Sequence, residues 1–493
     1  MTALHDSDAI YPFLRDASNY PGGTADTVWL PQTEEDVVEI IKAANQQGKQ
    51  LTISGGRTGL VGGAVPAAGV GDGWILSTER MRQPPVVDLT SSTITAGAGI
   101  RLFELREAAA RHQLFLPPDP TEPTCTVGGM VATNASGAHT FRYGSTRQWV
   151  EKLHVVVASG QRLWIGRGGA VASETDAELH TLEGSKLMLT LPNLTLPPIK
   201  NASGYFLQSG MDLIDLFIGM EGTLGVVTEV TFRLIPIPNG VLGGVIFFRS
   251  LPQLLRCAAE IRLRSRNPQD ALTSNILEFA DWEALALVRE KYPMLPEDAA
   301  GGAIWIEQDL GSEADTADTT VVETWIELFQ RYGAMMDESW FGERDLDLAR
   351  MRELRHAIPS AVYEYLSAHG QTKIGTDMAV PDDQFEELYS YYRQQFANSG
   401  LAIVTYGHLG NCHLHANMLL RSSDELPRAK LVYDSLVTKA IALGGTVSAE
   451  HGIGKLKQRY LRQMLGDRAM EAMRKAKQTL DPQGLLGAGM LFE

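Results

Sequence analysis

The sequence predicts an α+β fold arranged in about three domains. Its 493 residues are enough for three units of ~150 residues, each able to bury its own hydrophobic core. Short strand and helix patterns alternate up to about residue 239, and strands between longer amphipathic helices follow to about residue 424. The last segment returns to helices. We therefore expect domains at 1–239, 240–424 and 425–493.

The first domain begins with a short strand and a capped helix. The strand covers residues 28–30, and Thr33 and Asp36 form a capping-box pattern before a helix that ends at Gly48. The other predicted elements of this domain are strands at 51–53, 74–77, 86–89 and 93–96, and a helix at 100–111.

The strand at residues 51–53 leads into a loop with few side chains, GGRTGLVGG, which spans residues 55–63. Glycines adopt positive φ angles readily and let successive N–H groups converge, so such a loop can bind a phosphate or pyrophosphate. An ordinary glycine-rich turn is the alternative interpretation. The loop matches neither the Walker motif nor the G-x-G-x-x-G pattern of dinucleotide-binding folds. It is therefore a candidate anion site of another type.

Two further segments combine glycine with small polar residues. Residues 114–147 carry four prolines, which we expect to exclude regular structure, and then the run GGMVATNASG. Residues 219–232 read GMEGTLGVVTEVTF. Each segment alone predicts a loop. Three such loops in one domain indicate a single large ligand that lies across all of them.

Composition and charge narrow the class of protein. A net charge of −16 argues against a nucleic-acid partner, because no basic surface would neutralise phosphates. Three widely spaced cysteines form no C-x-x-C motif, which indicates a reducing compartment and excludes an iron–sulfur cluster. The N-terminus lacks a signal-peptide pattern, and no apolar run reaches the ~20 residues of a transmembrane helix. We expect a cytoplasmic protein that contacts a membrane, if at all, through a partner.

The three loops, in this order, resemble those of a flavoprotein family. A glycine loop, PPDP followed by T-x-G-G-x-x-A-T-N-A-x-G, and EGTLGVVTE are similar to the FAD-binding domain of the vanillyl-alcohol oxidase type, within the FAD-linked D-2-hydroxy-acid dehydrogenases. The resemblance runs from about Tyr11 to the C-terminus. It implies that FAD is bound by Gly55, Gly56, Arg57, Thr58, Gly59, Leu60, Pro118, Asp119, Gly128, Gly129, Thr133, Asn134, Ser136, Gly137, Glu221, Gly225 and Val227.

The resemblance also implies an architecture and a mode of FAD binding. It predicts a two-subdomain FAD-binding domain, an α+β substrate cap at 240–424, and a C-terminal helical segment that packs back onto the FAD-binding domain. Relatives with a covalent flavin usually carry a histidine in the first glycine loop, where this chain has Arg57 and Thr58. We therefore expect noncovalent FAD. The predicted cap elements are strands at 245–248, 304–307, 335–340 and 376–380, and helices at 251–264, 317–331, 346–357 and 382–396.

Most candidate chemistry lies where the predicted cap ends. The pattern TYGHLGNCHLHANMLL places His408 in a turn, before a strand in which His413, His415 and Asn417 share one face. A Glu-His pair follows about thirty-five residues later. Histidines with a carboxylate are typical ligands of zinc, iron or manganese, although any one histidine is more often a satisfied core residue.

The resemblance assigns roles to this group. In the family, G-H-x-G-D-G-N-x-H supplies two metal histidines, and a later E-H supplies a metal carboxylate and the catalytic base. The matching positions here are His408 and His415 for the histidines, Glu450 for the carboxylate, and His451 for the base. We expect a divalent metal, with zinc first and manganese and iron as alternatives.

Two stretches depart from the family pattern. Asn411, Cys412 and His413 replace Asp-Gly-Asn, and His413 is then either an additional ligand or a hydrogen-bond donor behind the ligands. Residues 487–490 read GAGM where relatives read N-P-G-K. The second change removes one candidate for a polar contact to the flavin.

The resemblance implies oxidation of a D-2-hydroxy acid of the lactate, glycolate or 2-hydroxyglutarate class. His451 would take the hydroxyl proton while the Cα hydrogen leaves as hydride, which yields a 2-oxo acid. Arg355 matches the family's carboxylate-binding arginine, Lys373 is the second candidate, and Asn417 would hydrogen-bond the substrate. Solvated surface charges are the alternative interpretation of Arg355 and Lys373.

Two other classes of function stay open at this point. A flavoprotein of the same fold that acts on a sugar or other alcohol, or that makes an ether lipid, would not need the histidine pair. A non-flavin metallohydrolase would use the same His and Glu ligands to activate water. The expected partners are a small-molecule 2-hydroxy acid and an electron acceptor, namely oxygen, a quinone, an electron-transfer flavoprotein or an iron–sulfur subunit. A homodimer also stays open.

Overall fold

The computed structural model describes residues 2–69, 71, 73–173, 176–190, 194–267, 269–311 and 319–492. It confirms a mixed fold of helices and sheets. The chain divides into two compact units, and residues from both ends of the chain build the first. Unit 1 comprises Met1–Ser136, Ser145–Ile237 and Val447–Glu493, and unit 2 comprises Gly137–Gly144 and Pro238–Thr446.

Unit 1 is built mainly from short strands. Its strands are β1 (Thr2–Leu4), β2 (Ala25–Leu30), β3 (Leu51–Ser54), β4 (Gly73–Ser77), β5 (Val86–Asp88), β6 (Thr93–Gly97), β7 (Leu114–Phe115), β8 (Val150–Val156), β9 (Arg162–Gly166), β10 (Asp176–His180), β11 (Lys186–Thr190), β12 (Val226–Arg233) and β13 (Ile235–Pro236). Its α-helices are Ser7–Ile10, Glu34–Gln47, Leu102–Ala110, Val127–Ala132 and Gln458–Leu480, the last kinked at Gly466.

Two sheets organise these strands. The first has the order β1–β2–β4–β3, in which β2, β4 and β3 run parallel and β1 is antiparallel to β2. The second has the order β5–β6–β12–β8–β9 and is antiparallel throughout. The pairs β7–β13 and β10–β11 complete the strands of the described part of the unit. The glycine loop at 55–63 follows the end of β3, and the segment at 219–232 leads into β12.

The predicted capped helix is confirmed and fixes the start of the glycine loop. The Thr33 hydroxyl accepts a hydrogen bond from the backbone N–H of Asp36, and the Asp36 carboxylate accepts one from the backbone N–H of Thr33. Gly48 ends the helix with φ of 64°. The buried face of the helix packs in one core cluster with Leu51 and Trp74 of the first sheet. Because Leu51 begins β3, this core anchors the strand from which the loop leaves.

Unit 2 contains one seven-stranded antiparallel sheet with the order β17–β14–β16–β15–β19–β20–β18. Its strands are β14 (Gly240–Phe248), β15 (Ile276–Ala280), β16 (Gly302–Leu310), β17 (Trp340–Gly342), β18 (Ile374–Gly375), β19 (Ile403–Gly407) and β20 (His415–Met418). Its α-helices are Thr140–Tyr143, Leu251–Ser265, Trp282–Val288, Thr319–Arg331, Asp345–Ala368, Phe385–Ser399 and Leu426–Ala442.

Two predicted strands of unit 2 are wrong in position. The strand predicted at 335–340 begins only at Trp340, because the Ser339 hydroxyl donates to the Met335 carbonyl and holds a turn there. The strand predicted at 376–380 is replaced by β18 and an isolated bridge at Ala379. Thr376 there hydrogen-bonds Leu414 through its hydroxyl, which interrupts regular pairing.

Two helix predictions also need correction. The helix predicted at 346–357 continues through Pro359 to Ala368, because the buried residues Ile358, Val362 and Leu366 extend its apolar face. That packing outweighs the ~3 kcal/mol that an internal proline typically costs. The residues predicted free of regular structure after the prolines form the helix Val127–Ala132, which Thr126 caps. The predicted start of a helix at residue 317 lies outside the described residues.

No helix in the described part of the chain is both long and apolar enough to cross a membrane.

Candidate active site

The glycine-rich segments of unit 1 line one cavity. Two residues of the last segment, Glu450 and His451, line it as well. The predicted cofactor residues in this lining are Gly55, Gly56, Arg57, Thr58, Gly59, Leu60, Gly128, Gly129, Thr133, Ser136, Glu221, Gly225 and Val227. The cavity thus brings together three segments that are widely separated in sequence.

Four predicted cofactor residues lie outside this lining as the described residues define it. The Pro118 carbonyl and the Asp119 carboxylate both accept hydrogen bonds from Arg106 at 2.7 Å. The Asn134 side chain accepts a hydrogen bond from the backbone N–H of Arg147 at 3.0 Å. The backbone of Asn134 has φ of 48°. Gly137 belongs to unit 2. Asp119 and Asn134 therefore brace loops in this structure.

The glycine loop leaves room that side chains would fill. A Cβ atom at Gly55 would lie 2.6 Å from the Thr126 hydroxyl, and one at Gly56 would lie 2.7 Å from the Arg101 guanidinium. A Cβ atom at Gly59 would meet no heavy atom of the described residues within 4 Å. The loop is therefore packed closely behind and open in front, as a backbone cradle for a phosphate group requires.

A buried hydroxyl also points to a polar ligand in this cavity. The Ser136 Oγ is buried and has no hydrogen-bond partner among the described residues. Buried polar atoms are normally satisfied, so an orphaned one in a cavity lining fits a site for a ligand with polar groups. The residues present therefore fit a large ligand with phosphate and polar ring atoms.

An ion-pair cluster supports the glycine loop. The Glu79 carboxylate contacts Arg57 at 2.9 Å and Arg101 at 3.0 Å. Burial alone would raise the pKa of Glu79, but the two guanidinium groups outweigh it and lower that pKa. Arg57, with φ of 58°, is thereby fixed in a backbone conformation that side chains rarely adopt.

The turn after His451 is tied to the third glycine-rich segment. The Glu221 carboxylate accepts hydrogen bonds from the backbone N–H groups of Ile453 at 2.8 Å and Gly454 at 2.7 Å. Burial is the largest influence on this carboxyl and raises its pKa to about 7, although those N–H groups, Lys457 and Lys455 act to lower it. Glu221 thus links two chain segments more than two hundred residues apart.

The predicted base and metal carboxylate lie beside a buried lysine. The Lys200 Nζ is 2.6 Å from Oε2 of Glu450, and the Lys200 side chain is only 2% exposed. Oε1 of the same carboxylate is 3.4 Å from Nε2 of His451. A buried carboxylate needs a cation or a metal to offset its lost hydration. Lys200 supplies part of the positive charge that offsets the lost hydration of Glu450. Lys200 was not among the residues predicted from sequence.

Unit 2 brings together the histidines of the predicted metal site. One ring nitrogen from each of His408, His413 and His415 lies within 4.8 Å of the others. All three side chains are buried, and the ring centroids of His413 and His415 are 4.5 Å apart. His413 and His415 thus lie close together, but the predicted strand begins only at His415 and does not include His413. Three imidazoles so close together fit a transition-metal site.

Glu278, in the centre of β15, joins the histidines to the predicted carboxylate-binding residue. Its Oε1 lies 2.7 Å from Nδ1 of His408, and its Oε2 lies 2.7 Å from Nη2 of Arg355. Burial alone would raise the pKa of Glu278, but Arg355 and His408 outweigh it and hold the pKa well below its usual range. The carboxylate is therefore ionised and orients both partners.

The other two predicted catalytic residues also belong to unit 2. The Lys373 Nζ lies 5.0 Å from the centre of the Tyr363 ring, within range of a cation–π contact. Asn417 is fully buried in β20, and its Nδ2 donates to the His415 carbonyl at 3.0 Å. Its Oδ1 accepts no hydrogen bond from the described residues. That oxygen is oriented by the strand and suits an additional donor.

Sequence reasoning missed Lys200, Glu278 and Asp377. Glu278 carried a readable signal, since it is the one charge in the apolar run ILEFA, and a charge within a buried strand needs a partner. Asp377, whose Oδ1 lies 3.1 Å from Nε2 of His413, carries a weaker form of the same signal, as a charge in the strand predicted at 376–380. Lys200 becomes significant only when the fold brings it to Glu450.

Two family models match this chain. The family model described as FAD binding domain matches residues 25–166. The model described as FAD linked oxidases, C-terminal domain, matches residues 241–491. Together they cover the first two glycine-rich segments and the histidines.

Two curated relatives and one solved structure are similar over most of the chain. A D-lactate dehydrogenase of Archaeoglobus fulgidus is 30% identical, covering 93% of this chain and 89% of the relative. A D-2-hydroxyglutarate dehydrogenase of Xanthomonas citri pv. viticola is 30% identical, covering 94% of this chain and 88% of the relative. An alkyldihydroxyacetonephosphate synthase structure, at 16% identity, has a TM-score of 0.68 and covers 98% of this chain and 81% of that one, which shows likeness of fold alone.

The cavity and these matches define a flavoprotein with the vanillyl-alcohol oxidase type of fold, an FAD-dependent oxidoreductase that acts on CH–OH groups. The chain belongs to the family of FAD-linked D-2-hydroxy-acid dehydrogenases. The predicted fold class and the predicted FAD are confirmed. The alternative of a non-flavin metallohydrolase is wrong.

Proposed function

We propose that the protein oxidises a D-2-hydroxy acid to the 2-oxo acid, with FAD as the immediate electron acceptor and a divalent metal bound nearby. The observation that carries the proposal is the carboxylate of Glu278, which contacts His408 through one oxygen and Arg355 through the other. A 2-hydroxy acid carries its carboxylate and its hydroxyl on adjacent carbons. A site for such a substrate must therefore hold a cation and a hydroxyl-activating group at a fixed distance from each other. Glu278 would set that distance, because it contacts both Arg355 and His408.

Each substrate group has a candidate partner in unit 2. Arg355 would bind the carboxylate, because a guanidinium presents paired donors that match carboxylate oxygens. Lys373 is a second candidate cation. Asn417 would accept or donate a hydrogen bond to the substrate through its side-chain amide. The names of the relatives support substrates of the lactate and 2-hydroxyglutarate class.

His451 would act as the general base. It would take the hydroxyl proton while the Cα–H bond breaks and the C=O bond forms. FAD, when bound, accepts the two electrons and the Cα hydrogen as a hydride. The products are then a 2-oxo acid, reduced flavin and one proton held on His451.

A divalent metal would be held by His408, His415 and Glu450, the residues that match the family pattern. When bound, such a metal polarises the substrate hydroxyl and lowers the cost of its ionisation. The clustered histidine nitrogens support the first two ligands. Glu450 enters through the family pattern. Zinc is the first expectation, and manganese and iron are the alternatives.

FAD would be bound noncovalently. The reason is the sequence of the glycine loop, where Arg57 and Thr58 replace the histidine found in relatives with a covalent flavin. Arg57 forms an ion pair with Glu79. Acid precipitation should release all flavin into the supernatant. Yellow colour that stays with the precipitated protein would show a covalent link and contradict this part of the proposal.

An anaerobic substrate screen tests the proposed reaction. We expect the flavin absorbance to bleach with one or more of D-lactate, glycolate and D-2-hydroxyglutarate. The matched controls are L-lactate and L-2-hydroxyglutarate, which present the same groups in the wrong configuration. Bleaching by xylitol or a sugar, with none by any hydroxy acid, would favour the alternative of a same-fold enzyme acting on other alcohols.

The electron acceptor after flavin reduction would be a quinone, an electron-transfer flavoprotein or a separate iron–sulfur subunit. Cys125, Cys257 and Cys412 are widely spaced and form no C-x-x-C motif, so this chain is not expected to hold a cluster. Reoxidation of reduced enzyme by a soluble quinone, compared with air, separates a dehydrogenase from an oxidase. A cytoplasmic location and a homodimer remain proposals.

A further inference from the structure

We propose that His413 is a third imidazole ligand of the metal, so that the histidines of unit 2 form a three-histidine site where the family pattern has two. This inference rests on the proposed function, because it concerns the same metal. It departs from the family pattern, which carries asparagine at this position. The side chains that carry it all belong to unit 2.

The three rings form one compact group. Their centroids are separated by 5.3 Å for His408 and His413, 5.6 Å for His408 and His415, and 4.5 Å for His413 and His415. A ring nitrogen of His413 lies within 4.8 Å of one from each of the other two. His413 is therefore as well placed as the two histidines that the family pattern assigns to the metal.

Each ring has an acceptor near one of its nitrogens. Nδ1 of His408 contacts Glu278 at 2.7 Å, and Nδ1 of His415 contacts the Thr376 carbonyl at 2.9 Å. Nε2 of His413 contacts the Asp377 carboxylate at 3.1 Å. Histidines that bind metals characteristically give their other ring nitrogen to a carboxylate or carbonyl. The metal would then take Nε2 of His408 and His415 and one ring nitrogen of His413.

Burial makes a purely structural role for His413 costly. His413 and Asp377 are both fully buried, and His408 and His415 are 4% and 7% exposed. Three imidazoles and two carboxylates packed together lose much hydration, and that loss must be offset by strong interactions. A divalent cation bound by all three rings offsets it directly. An Asn at position 413 would leave Asp377 buried opposite a neutral amide.

A third imidazole changes the metal preference. Imidazole suits zinc and iron, whereas carboxylate and carbonyl oxygens suit magnesium and manganese. The wild-type site should therefore prefer zinc over manganese more strongly than a site with two histidines. The change His413→Asn restores the family residue and should shift the preference towards manganese.

X-ray absorption spectroscopy of the full-length protein, stripped of metal and reloaded with one equivalent of Zn²⁺, tests the inference without any variant. We expect scattering from three imidazoles. His413→Asn should reduce this number to two and lower zinc affinity by more than the ~10–100-fold typical for losing a residue behind the ligands. His139→Asn, which alters a histidine that contacts Glu307 instead, is the matched control and should keep three imidazoles.

The outcomes separate this inference from the proposed function. Two imidazoles in the wild type, with zinc affinity unchanged in His413→Asn, would overturn the third ligand and leave the proposed metal in place. A wild type that takes up no zinc, manganese or iron would overturn both. Asp377→Asn should lower zinc affinity by ~10–100-fold while three imidazoles remain, because Asp377 only orients the ring.

Discussion

At the scale of single residues, His451 carries the most specific expectation. Its Nε2 lies 3.4 Å from Glu450, so it either takes the substrate proton or only braces that carboxylate. If it is the base, His451→Ala should keep FAD and metal and still bind a substrate-like inhibitor. Flavin reduction should fall by ~100-fold or more, the usual scale for losing a general base.

Rapid mixing with a D-2-hydroxy acid measures this change. His154→Ala, which alters a histidine stacked on Trp164 outside the cavity lining, is the control and should bleach like the wild type. Unchanged bleaching in His451→Ala would move the base elsewhere. Loss of metal together with activity would mean that His451 braces Glu450.

Gly59 offers a direct test of the cofactor cradle. A Cβ atom there meets no described protein atom within 4 Å, so Gly59→Ala should fold normally. It would instead crowd the bound pyrophosphate, and overpacking typically costs about 1–3 kcal/mol. That cost corresponds to a loss of FAD affinity of roughly 5–150-fold.

FAD titration of flavin-free protein, followed by fluorescence, measures the loss. Gly166→Ala is the matched control, because its Cβ would also meet only distant atoms and Gly166 lies outside the cavity lining. Equal FAD affinity in both variants would mean that the cofactor does not approach the loop at Gly59.

At the scale of elements, the turn that follows His451 depends on Glu221. Burial raises the pKa of this carboxyl from 4.5 to about 7. Because the folded state then holds the proton more tightly than the unfolded state, the contribution of Glu221 to the free energy of unfolding is fully present below pH 4.5. It is lost as the pH rises from about 4.5 to about 7.

Glu221→Gln removes this titration, so its denaturation midpoint should fall less than that of the wild type between pH 5 and pH 7.5. Urea unfolding of flavin-free protein measures the difference. Glu229→Gln, at a partly exposed carboxylate that contacts His154, is the control and should follow the wild type. A Glu221→Gln variant with the wild-type pH dependence would show that Glu221 is ionised throughout.

Sequence patterns predicted elements well where local signals agreed. The helix Glu34–Gln47 combines a capping box, an apolar stripe and a terminal glycine, and it forms as predicted. The helix predicted at 346–357 continues to Ala368, because packing of its apolar face outweighs the local helix breaker Pro359. The strand expected at 376–380 is irregular because Thr376 bonds the neighbouring segment through its side chain. Long-range contacts of this kind leave no local pattern.

The residues of the candidate site also divide into those that the sequence predicted and those that it did not. The resemblance to the family motif selected His408 and His415, because the motif lies within one short segment. Lys200 and Asp377 could not be selected, because their importance comes from partners that are far away in sequence or specific to this chain. Glu278 is an intermediate case. Its burial can be predicted from the apolar run around it, but its two partners, His408 and Arg355, cannot.

At the scale of the whole molecule, the cofactor cavity and the histidine cluster belong to different units. His415→Ala should therefore lose the metal and keep FAD. Elemental analysis should find about one metal per chain in the wild type, and the flavin absorbance should be equal in both proteins. His139→Ala is the control and should retain both groups. Metal that survives both His408→Ala and His415→Ala would mean that the cluster is packing alone.

The most direct test of the whole account is anaerobic rapid mixing of the enzyme with the D- and L-forms of one 2-hydroxy acid, before and after removal of metal by a chelator. We predict that only the D-form bleaches the flavin, that chelation slows bleaching by ~10-fold or more, and that added Zn²⁺ or Mn²⁺ restores it. Equal bleaching by both forms, or bleaching that is unaffected by complete removal of metal, would contradict the account.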